Sequence, residues 1–508
     1  MSESRTKFAI KNISFGMAGK LLLIFLEFIS RAIFIKYIGE ELLGINGVFA
    51  NIIQMLALAE LGMNNVVGYS FYKPIADHDD RKIAALVRFY KRIYNGIAAS
   101  VLVIGILLTP FLKWIVNTEV PVDNLYIIYF IFLADTVFSY FFVYKATLLR
   151  SDQKAYIATQ YEMISDIIRV VLQIIGMYIF KSIEIYLITK VVISVGKNYI
   201  TAKRVDKDYK ETLTSKGELE LEEKKDIAST IKSGFIYKVS GTLLNSTDNI
   251  IISTMVGTIW VGLLANYLTI INGLSSFYTI IFTNLTAGVG NLVFTENKEK
   301  RLSVFNMMLM VSSWMAIVFS ICLFTLSDEF VTIWIGKRFV LDKSIVLSKS
   351  IMLFLSCSLQ PLFSYREALG LYKKTKYVML IAAIENIILS IIMGYIWGVA
   401  GILYASIIAM VTTYIWYEPK ILYKDCFEMK SSVYFKMRIG EFVLGLLGLF
   451  VFDKLSGLYV CTNWTQWIIK AVLVFIIVNI YCLAIFGRRK EFKELCNGLK
   501  GKLDMKRR

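Results

Sequence analysis

Histidine is almost missing from this chain. Only His78 occurs in 508 residues, which leaves little room for histidine-based catalysis or a histidine metal site. The six cysteines, Cys322, Cys357, Cys426, Cys461, Cys482 and Cys496, are scattered without paired spacing. Neither a disulfide framework nor a zinc site is expected. No G-x-x-x-x-G-K-[ST] pattern is present, so ATP hydrolysis by a P-loop is excluded. Asp77-His78-Asp79 has the D-x-D spacing of a metal–nucleotide site, but three residues in a short basic loop carry no assignment. No loop on the side away from the termini is long enough for a catalytic domain; the longest covers about residues 327–344. An enzyme is not expected.

What fills the chain instead is apolar sequence. It is 56% hydrophobic, with a mean hydropathy of +0.60. Apolar runs of about 20 residues, enough to cross a bilayer core, follow one another almost to the end. Backbone in lipid must satisfy its own hydrogen bonds, so each run is expected to be a helix. About 14 spans result: residues 13–37, 43–68, 90–116, 125–149, 156–180, 183–202, 234–256, 260–289, 304–326, 345–369, 377–397, 402–422, 437–452 and 464–486. The N-terminus resembles a signal peptide, with Arg5, Lys7 and Lys11 before an apolar run. No small-x-small cleavage site follows, and the run carries Glu27 and Arg31, so it is expected to stay as the first helix.

A formal charge of +17 could suggest nucleic acid, but its distribution does not. With the N-terminus inside, Lys and Arg concentrate in the tails and the even-numbered loops. This alternation is the positive-inside pattern. It puts both termini in the cytoplasm and directs the excess charge at an anionic leaflet. No nucleic-acid partner is expected.

The chain repeats itself. Residues 16–56 align without a gap on residues 234–274. Gly16 falls on Gly234, Lys20 on Lys238, Leu26 on Leu244, Ile33 on Ile251, Gly39 on Gly257 and Gly44 on Gly262. The polar stretch between the sixth and seventh spans, including residues 218–226, separates the copies. The expected organisation is an N-terminal lobe at 1–202, a cytoplasmic connector at 203–232 and a C-terminal lobe at 233–425. Two further helices follow at 426–487, then a basic cytoplasmic tail at 488–508. Six helices per lobe return the chain to its starting side, so the repeats are parallel. The expected class is an all-α polytopic membrane protein.

Charges inside the apolar runs show where such a protein works, because they are costly unless they face water or a partner. Lys20, Glu27 and Arg31 fall at intervals of 7 and 4 on the first span. At 3.6 residues per turn they make one stripe, rising about 16 Å. Glu162, Asp166, Arg169 and Gln173 make a second stripe on the fifth span. Lys190 lies in the sixth span and Lys238 in the seventh. Lys20, Arg31, Arg169, Lys190 and Lys238 are candidates to meet an anionic head group, arginine being well suited to phosphate. Glu27, Glu162, Asp166, Asp248, Glu385 and Asn386 are candidates for cation coupling or structural pairing. The spacings Glu27–Arg31 and Asp166–Arg169 also suit ion pairs that only pin helices. Lys20 and Lys238 could instead snorkel to the interface.

At Ile38-Gly39-Glu-Glu-Leu-Leu-Gly44 with Leu61-Gly62, and at Asp248-Asn-Ile-Ile-Ile with Val256-Gly257 and Val261-Gly262-Leu-Leu-Ala-Asn-Tyr267, the chain resembles a known family. It is similar to the polysaccharide transporters, or Wzx-type oligosaccharide flippases, of the multidrug/oligosaccharidyl-lipid/polysaccharide (MOP) exporter superfamily. The resemblance covers nearly the whole chain. It implies two six-helix lobes around a cationic cavity. It also implies undecaprenyl-pyrophosphate-linked oligosaccharide as cargo, moved from the inner to the outer leaflet of a bacterial cytoplasmic membrane by alternating access. No cofactor is implied; Na⁺ or H⁺ is the candidate coupling ion. The expected partners are lipid-linked oligosaccharide and membrane lipids, with a polysaccharide polymerase and glycosyltransferases in the same pathway of surface polysaccharide synthesis. A lipid II flippase and a multidrug or cation antiporter of the same superfamily are the alternatives. A membrane polysaccharide polymerase fits less well, lacking a large external loop.

Overall fold

The structure is a computed structural model, and it describes residues 2–57, 70–75, 77–118, 124–152 and 154–497. Those residues are almost entirely helical, as the apolar runs require. The principal helices are α1 (Ser2–Tyr37), α2 (Glu40–Leu56), α3 (Asp80–Leu108), α4 (Leu125–Ser151), α5 (Ala155–Phe180), α6 (Ile183–Asp208), α7 (Leu221–Met255) and α8 (Thr258–Thr295). They continue with α9 (Lys298–Trp334), α10 (Lys343–Ser358), α11 (Gln360–Leu369), α12 (Tyr372–Thr412), α13 (Tyr414–Cys426), α14 (Ser432–Ser456) and α15 (Trp464–Phe486). Each of the expected spans falls on helix, the second only in part because residues 58–69 lie outside the described set.

Local sequence sets the ends. Asp79 accepts a hydrogen bond from the Lys82 amide at the start of α3, and Asn297 accepts from Lys300 at α9. Both are side-chain caps of orphan amides. Glu220 and Glu223 form a capping box that starts α7 well before its apolar run. Together with the extension of α6 to Asp208, this turns much of the polar connector into helix. Pro361 sits in the first turn of α11, where its missing amide costs nothing, and the expected tenth span is divided there. Gly398 has φ 59° inside α12. The chain folds back at that point: the Asn386 amide donates to Ser406 Oγ over 2.8 Å, although 20 residues of straight helix would separate them by about 30 Å. The eleventh and twelfth spans are therefore the two arms of a hairpin.

Eight helical stretches among the described residues are long and apolar enough to cross a membrane. α1, α2, α6, α7 and α14 fall outside that group; α2 is 17 residues long, and the other four carry charges within their length.

The chain separates into two compact units, Met1–Gly262 and Leu263–Arg508. In the first, α4 packs on α3 and α6, α5 on α1 and α6, and α7 on α2. The first unit thus takes in α7, which opens the second copy of the repeat. In the second unit α9 is the central post, with α10, α14 and α15 packed around it. Phe305, Leu309, Ile317 and Ile321 of α9 are fully buried. Burial of side chains this size supplies about 1.5–3 kcal/mol each against water, though less against lipid.

Candidate functional site

The polar stripes of α1 and α5 lie on helices that pack together in the first unit. Near Gly19 the two helices are so close that a Cβ there would strike the Met163 thioether. Further along, Tyr186 of α6 is the meeting point. Its ring stands edge-on to Phe34 of α1 at 5.0 Å. Arg31 lies on α1 one turn beyond Glu27 and one turn before Phe34. From α5, Gln173 is almost fully buried and donates to the Tyr186 carbonyl over 3.0 Å. Arg169 donates from Nη1 to Gln173 Oε1 over 3.1 Å and from Nε to Asp166 Oδ1 over 3.3 Å. Arg169 thus reaches the Tyr186 backbone through Gln173, while Arg31 lies one turn before Phe34, the residue that packs on the Tyr186 ring.

Their commitments differ. Arg169 holds one carboxylate at Asp166, and its side chain is 21% exposed. Among the described residues its second terminal nitrogen has no partner. Arg31 has the i−4 spacing to Glu27 but makes no ion pair within bonding distance among the described residues. Lys20, Glu27 and Glu162 are exposed and, among the described residues, have no ion-pair or hydrogen-bond partner. A helix face that presents an exposed lysine and two exposed carboxylates within apolar runs is far cheaper against water than against hydrocarbon.

Lys190 is placed otherwise. It pairs with Asp135 of α4 at 3.4 Å and stands over the Phe132 ring at 4.8 Å. The Asp135 Oδ1 atom is buried without a hydrogen-bond partner. This bridge spans α4 and α6, which pack together along their length. Lys190 is therefore at least partly a fastener. The named cations Lys20, Arg31, Arg169 and Lys190 are balanced by Glu27, Asp135, Glu162 and Asp166, so the face is mixed in charge.

The remaining candidates are dispersed. Lys238 lies on α7, and its side chain is outside the described residues. Asp248 is buried on α7 among Ser246 and Thr247, and it has an interaction partner. Ser246 is in reach of Gln54 Oε1 at 3.1 Å, which links α7 to α2. Asn386 is fully buried and bonded to Ser406 and Ser390. Glu385 accepts from Thr412 Oγ1 over 2.7 Å. Both hold the arms of the α12 hairpin together.

The second unit has charges that spacing in the sequence does not reveal. Arg366 of α11 binds Glu418 of α13 at 2.5 Å, with side chains only 7% and 3% exposed. Glu441 of α14 accepts from Arg438 (2.7 Å), Arg489 (2.6 Å) and Ser313 (2.6 Å). Lys470 binds Glu329 at 2.7 Å. Most of these partners lie 48–141 residues apart, so only the Arg438–Glu441 spacing was visible as a pair. A cavity of about 170 Å³, with Phe354, Trp416, Tyr434 and Phe442 among its walls, also touches Arg438. That guanidinium is already bound to Glu441 and to the Ser358 carbonyl, so the cavity offers an anion little.

No protein-family model matches the chain, and no curated protein matches it by sequence. Solved structures do. A lipid II flippase MurJ in an inward closed conformation superposes with a TM-score of 0.64 at 15% identity, covering 93% of this chain and 99% of that one. An inward-facing multidrug resistance MATE family transporter of the MOP superfamily gives 0.61 at 13%, covering 78% and 93%. An outward-facing MATE transporter gives 0.53 at 14%, covering 87% and 94%. The chain has the fold of the MurJ and MATE transporters. It is a polytopic all-α membrane protein of that architecture.

Proposed function

We propose that the protein is a flippase for a lipid carrying an anionic, sugar-bearing phosphate head. The cargo we assign is undecaprenyl-pyrophosphate-linked oligosaccharide. It passes from the inner to the outer leaflet of a bacterial cytoplasmic membrane, with both termini of the protein on the cytoplasmic side. The observation that carries this reading is the packing of α1 on α5, which brings the helix of Arg31 against the helix of Arg169, with Lys20, Glu27 and Glu162 exposed on the same two helices.

The physical task is to move a pyrophosphate and its sugars past hydrocarbon. A wet helix face carries the head while the prenyl chain stays in lipid. Arg169 can exchange its single carboxylate for phosphate oxygens, and arginine's planar fork suits that exchange. Arg31, which makes no ion pair within bonding distance among the described residues, can follow it. Opening first to one side and then to the other moves the cargo with no bond made or broken. The fold shared with a lipid II flippase supports a lipid-linked cargo. A polymerase and glycosyltransferases are the proposed partners before and after the step. We place Na⁺ or H⁺ coupling on Glu27 and Glu162, the two candidate carboxylates with no direct partner among the described residues.

Those same carboxylates favour a second reading, a cation antiporter, because exposed acids attract organic cations. One experiment separates the readings. The purified protein is reconstituted in vesicles and offered a labelled undecaprenyl-pyrophosphate oligosaccharide, lipid II, or a cationic dye. Flipping of the oligosaccharide lipid is expected. Flipping of lipid II alone or uptake of the dye alone would reject the assignment in favour of that alternative.

A further inference from the structure

The second unit carries a groove that head-group binding does not use. Beside the cavity of about 170 Å³ lies a second hollow of about 390 Å³. Trp416 of α13 and Phe435 of α14 line both, with their rings 4.8 Å apart. The partition between the hollows is thus a pair of side chains, and Trp416 is 53% exposed. Local sequence keeps the space open. The helix breaks between α12 and α13 at Thr413, where φ is −115° and ψ −100°. Pro419 has no amide to offer the Ile415 carbonyl one turn earlier, and Ile415 is in the wall of the smaller cavity. A helix interrupted at both points bends away from its neighbours.

The two ends of the groove differ in chemistry. The smaller cavity is walled by Phe354, Val411, Ile439 and Phe442, and the guanidinium that touches it, Arg438, is held by Glu441. The larger hollow reaches Lys420. On α13, Trp416, Lys420 and Lys424 fall at intervals of four, so an aromatic ring and two cations share one stripe. Both lysines are exposed and, among the described residues, make no ion pair or hydrogen bond. The acids nearest them in sequence are taken: Asp425 by Lys374 at 2.6 Å, and Glu418 by Arg366. Glu385 bonds Thr412, about two helical turns from Lys420.

Depth and charge together fit a lipid of a single leaflet. Lys420 and Val411 are separated by about 14 Å at 1.5 Å per residue, close to half of a hydrocarbon core of about 30 Å. Trp416 and Tyr417 stand next to Lys420 as aromatic residues do at the membrane–water interface. A phosphate over the lysines, with a chain descending past Trp416, satisfies both ends of the groove.

We propose that this groove binds one anionic phospholipid of the bulk bilayer, its phosphate on Lys420 and Lys424 and one acyl chain passing Trp416 and Phe435 into the apolar cavity. In the orientation proposed above, the lipid belongs to the inner leaflet; that side alone rests on the transport reading. The lipid is a resident of the second unit and not cargo, whose head group is assigned to α1 and α5.

Trp416 supplies the test. The protein is reconstituted in phosphatidylcholine vesicles with a small fraction of phospholipid brominated in its acyl chains, which quenches indole fluorescence on contact. The Trp416 share of the emission is the difference between wild type and W416F. Brominated phosphatidylglycerol is expected to quench that share with about fivefold preference over brominated phosphatidylcholine. K420Q/K424Q should abolish the preference, while quenching of the remaining tryptophans stays as in wild type and shows that the variant is folded. Undecaprenyl phosphate should not displace the brominated phosphatidylglycerol. Equal quenching by the two brominated lipids, or a preference that survives in K420Q/K424Q, would overturn the proposal. Displacement by the prenyl phosphate would hand the groove to the cargo and overturn it as well. No flipping is measured, so the result stands whether or not the protein moves the oligosaccharide lipid.

Discussion

Arg169 and Arg366 are both guanidiniums in helices of apolar surroundings, each with an acid beside it. In the first unit Arg169 shares one long contact with Asp166 and leaves one terminal nitrogen without a partner among the described residues. In the second, Arg366 is closed against Glu418 at 2.5 Å and hidden from solvent. The same contrast runs through both units. α1 and α5 expose charges with few direct bonds, whereas Glu441 is enclosed by Arg438, Arg489 and Ser313. Charge inside an apolar helix is thus no single signal. Where it is sealed, it fastens helices; where it is open and loosely paired, it is available to a ligand.

The sealed pairs should break hardest. R366M leaves Glu418 buried and alone, at a cost of about 3–5 kcal/mol. Thermal unfolding in detergent should shift down sharply, and yield should fall. The double variant R366M/E418L should recover most of the loss, because a packed apolar pair is often no worse than a buried ionic one. Equal damage in the single and double variants would make this pair more than a fastener.

The connector offers an intermediate case. Arg88 of α3 donates to the carbonyls of Ser215 (3.0 Å) and Gly217 (2.6 Å), and Lys82 pairs with Glu223 at the start of α7. R88A should release residues 209–220 at a local cost of about 1–3 kcal/mol. Limited proteolysis there should quicken at least fivefold while global unfolding barely moves. Unchanged proteolysis would show that the other bonds suffice.

The smallest effect is expected where Asp152, Lys154 and Tyr209 meet outside the spans. Burial pushes Asp152 up, but hydrogen bonds from Lys154 and Tyr209 outweigh it and hold the carboxyl below its usual range. Its stabilisation is present above about pH 4 and is lost as pH falls through the lowered folded value. Burial, followed by the bond to Asp152, pushes Tyr209 up to about 12. That contribution is intact below about pH 10 and fades as pH rises from there to about 12. The groups are partly exposed, so D152N should cost no more than about 1 kcal/mol. Amide exchange in the connector, followed against pH, should lose the acid edge in D152N and keep a smaller alkaline edge, because burial of Tyr209 remains; an unchanged acid edge would contradict the assignment.

The spans were legible because about 20 apolar residues have one stable form in lipid, and the expected break between the eleventh and twelfth falls at Gly398. The stripe spacing also foretold Asp166–Arg169. It failed at Glu27–Arg31, where i,i+4 geometry made no direct ion pair, because spacing permits a bond without requiring one. Lys190 looked like a free cation because its partner Asp135 belongs to another helix. Arg366–Glu418 and Lys470–Glu329 were invisible for the same reason. Hydropathy does not mark the start of α7, but its mixed charge suits a helix in water, since Glu and Lys are good helix formers. The repeat announced matching glycines, but only the structure places Gly44 and Gly262 against each other's helices.

The central claim is that the α1–α5 face handles the cargo's head group, and flipping by R31Q, R169Q and their double variant in reconstituted vesicles tests it most directly. The account predicts that each single variant loses most flipping of the labelled undecaprenyl-pyrophosphate oligosaccharide, and the double variant nearly all, with thermal unfolding within about 1 kcal/mol of wild type. A folded double variant that flips the lipid at the wild-type rate would contradict it.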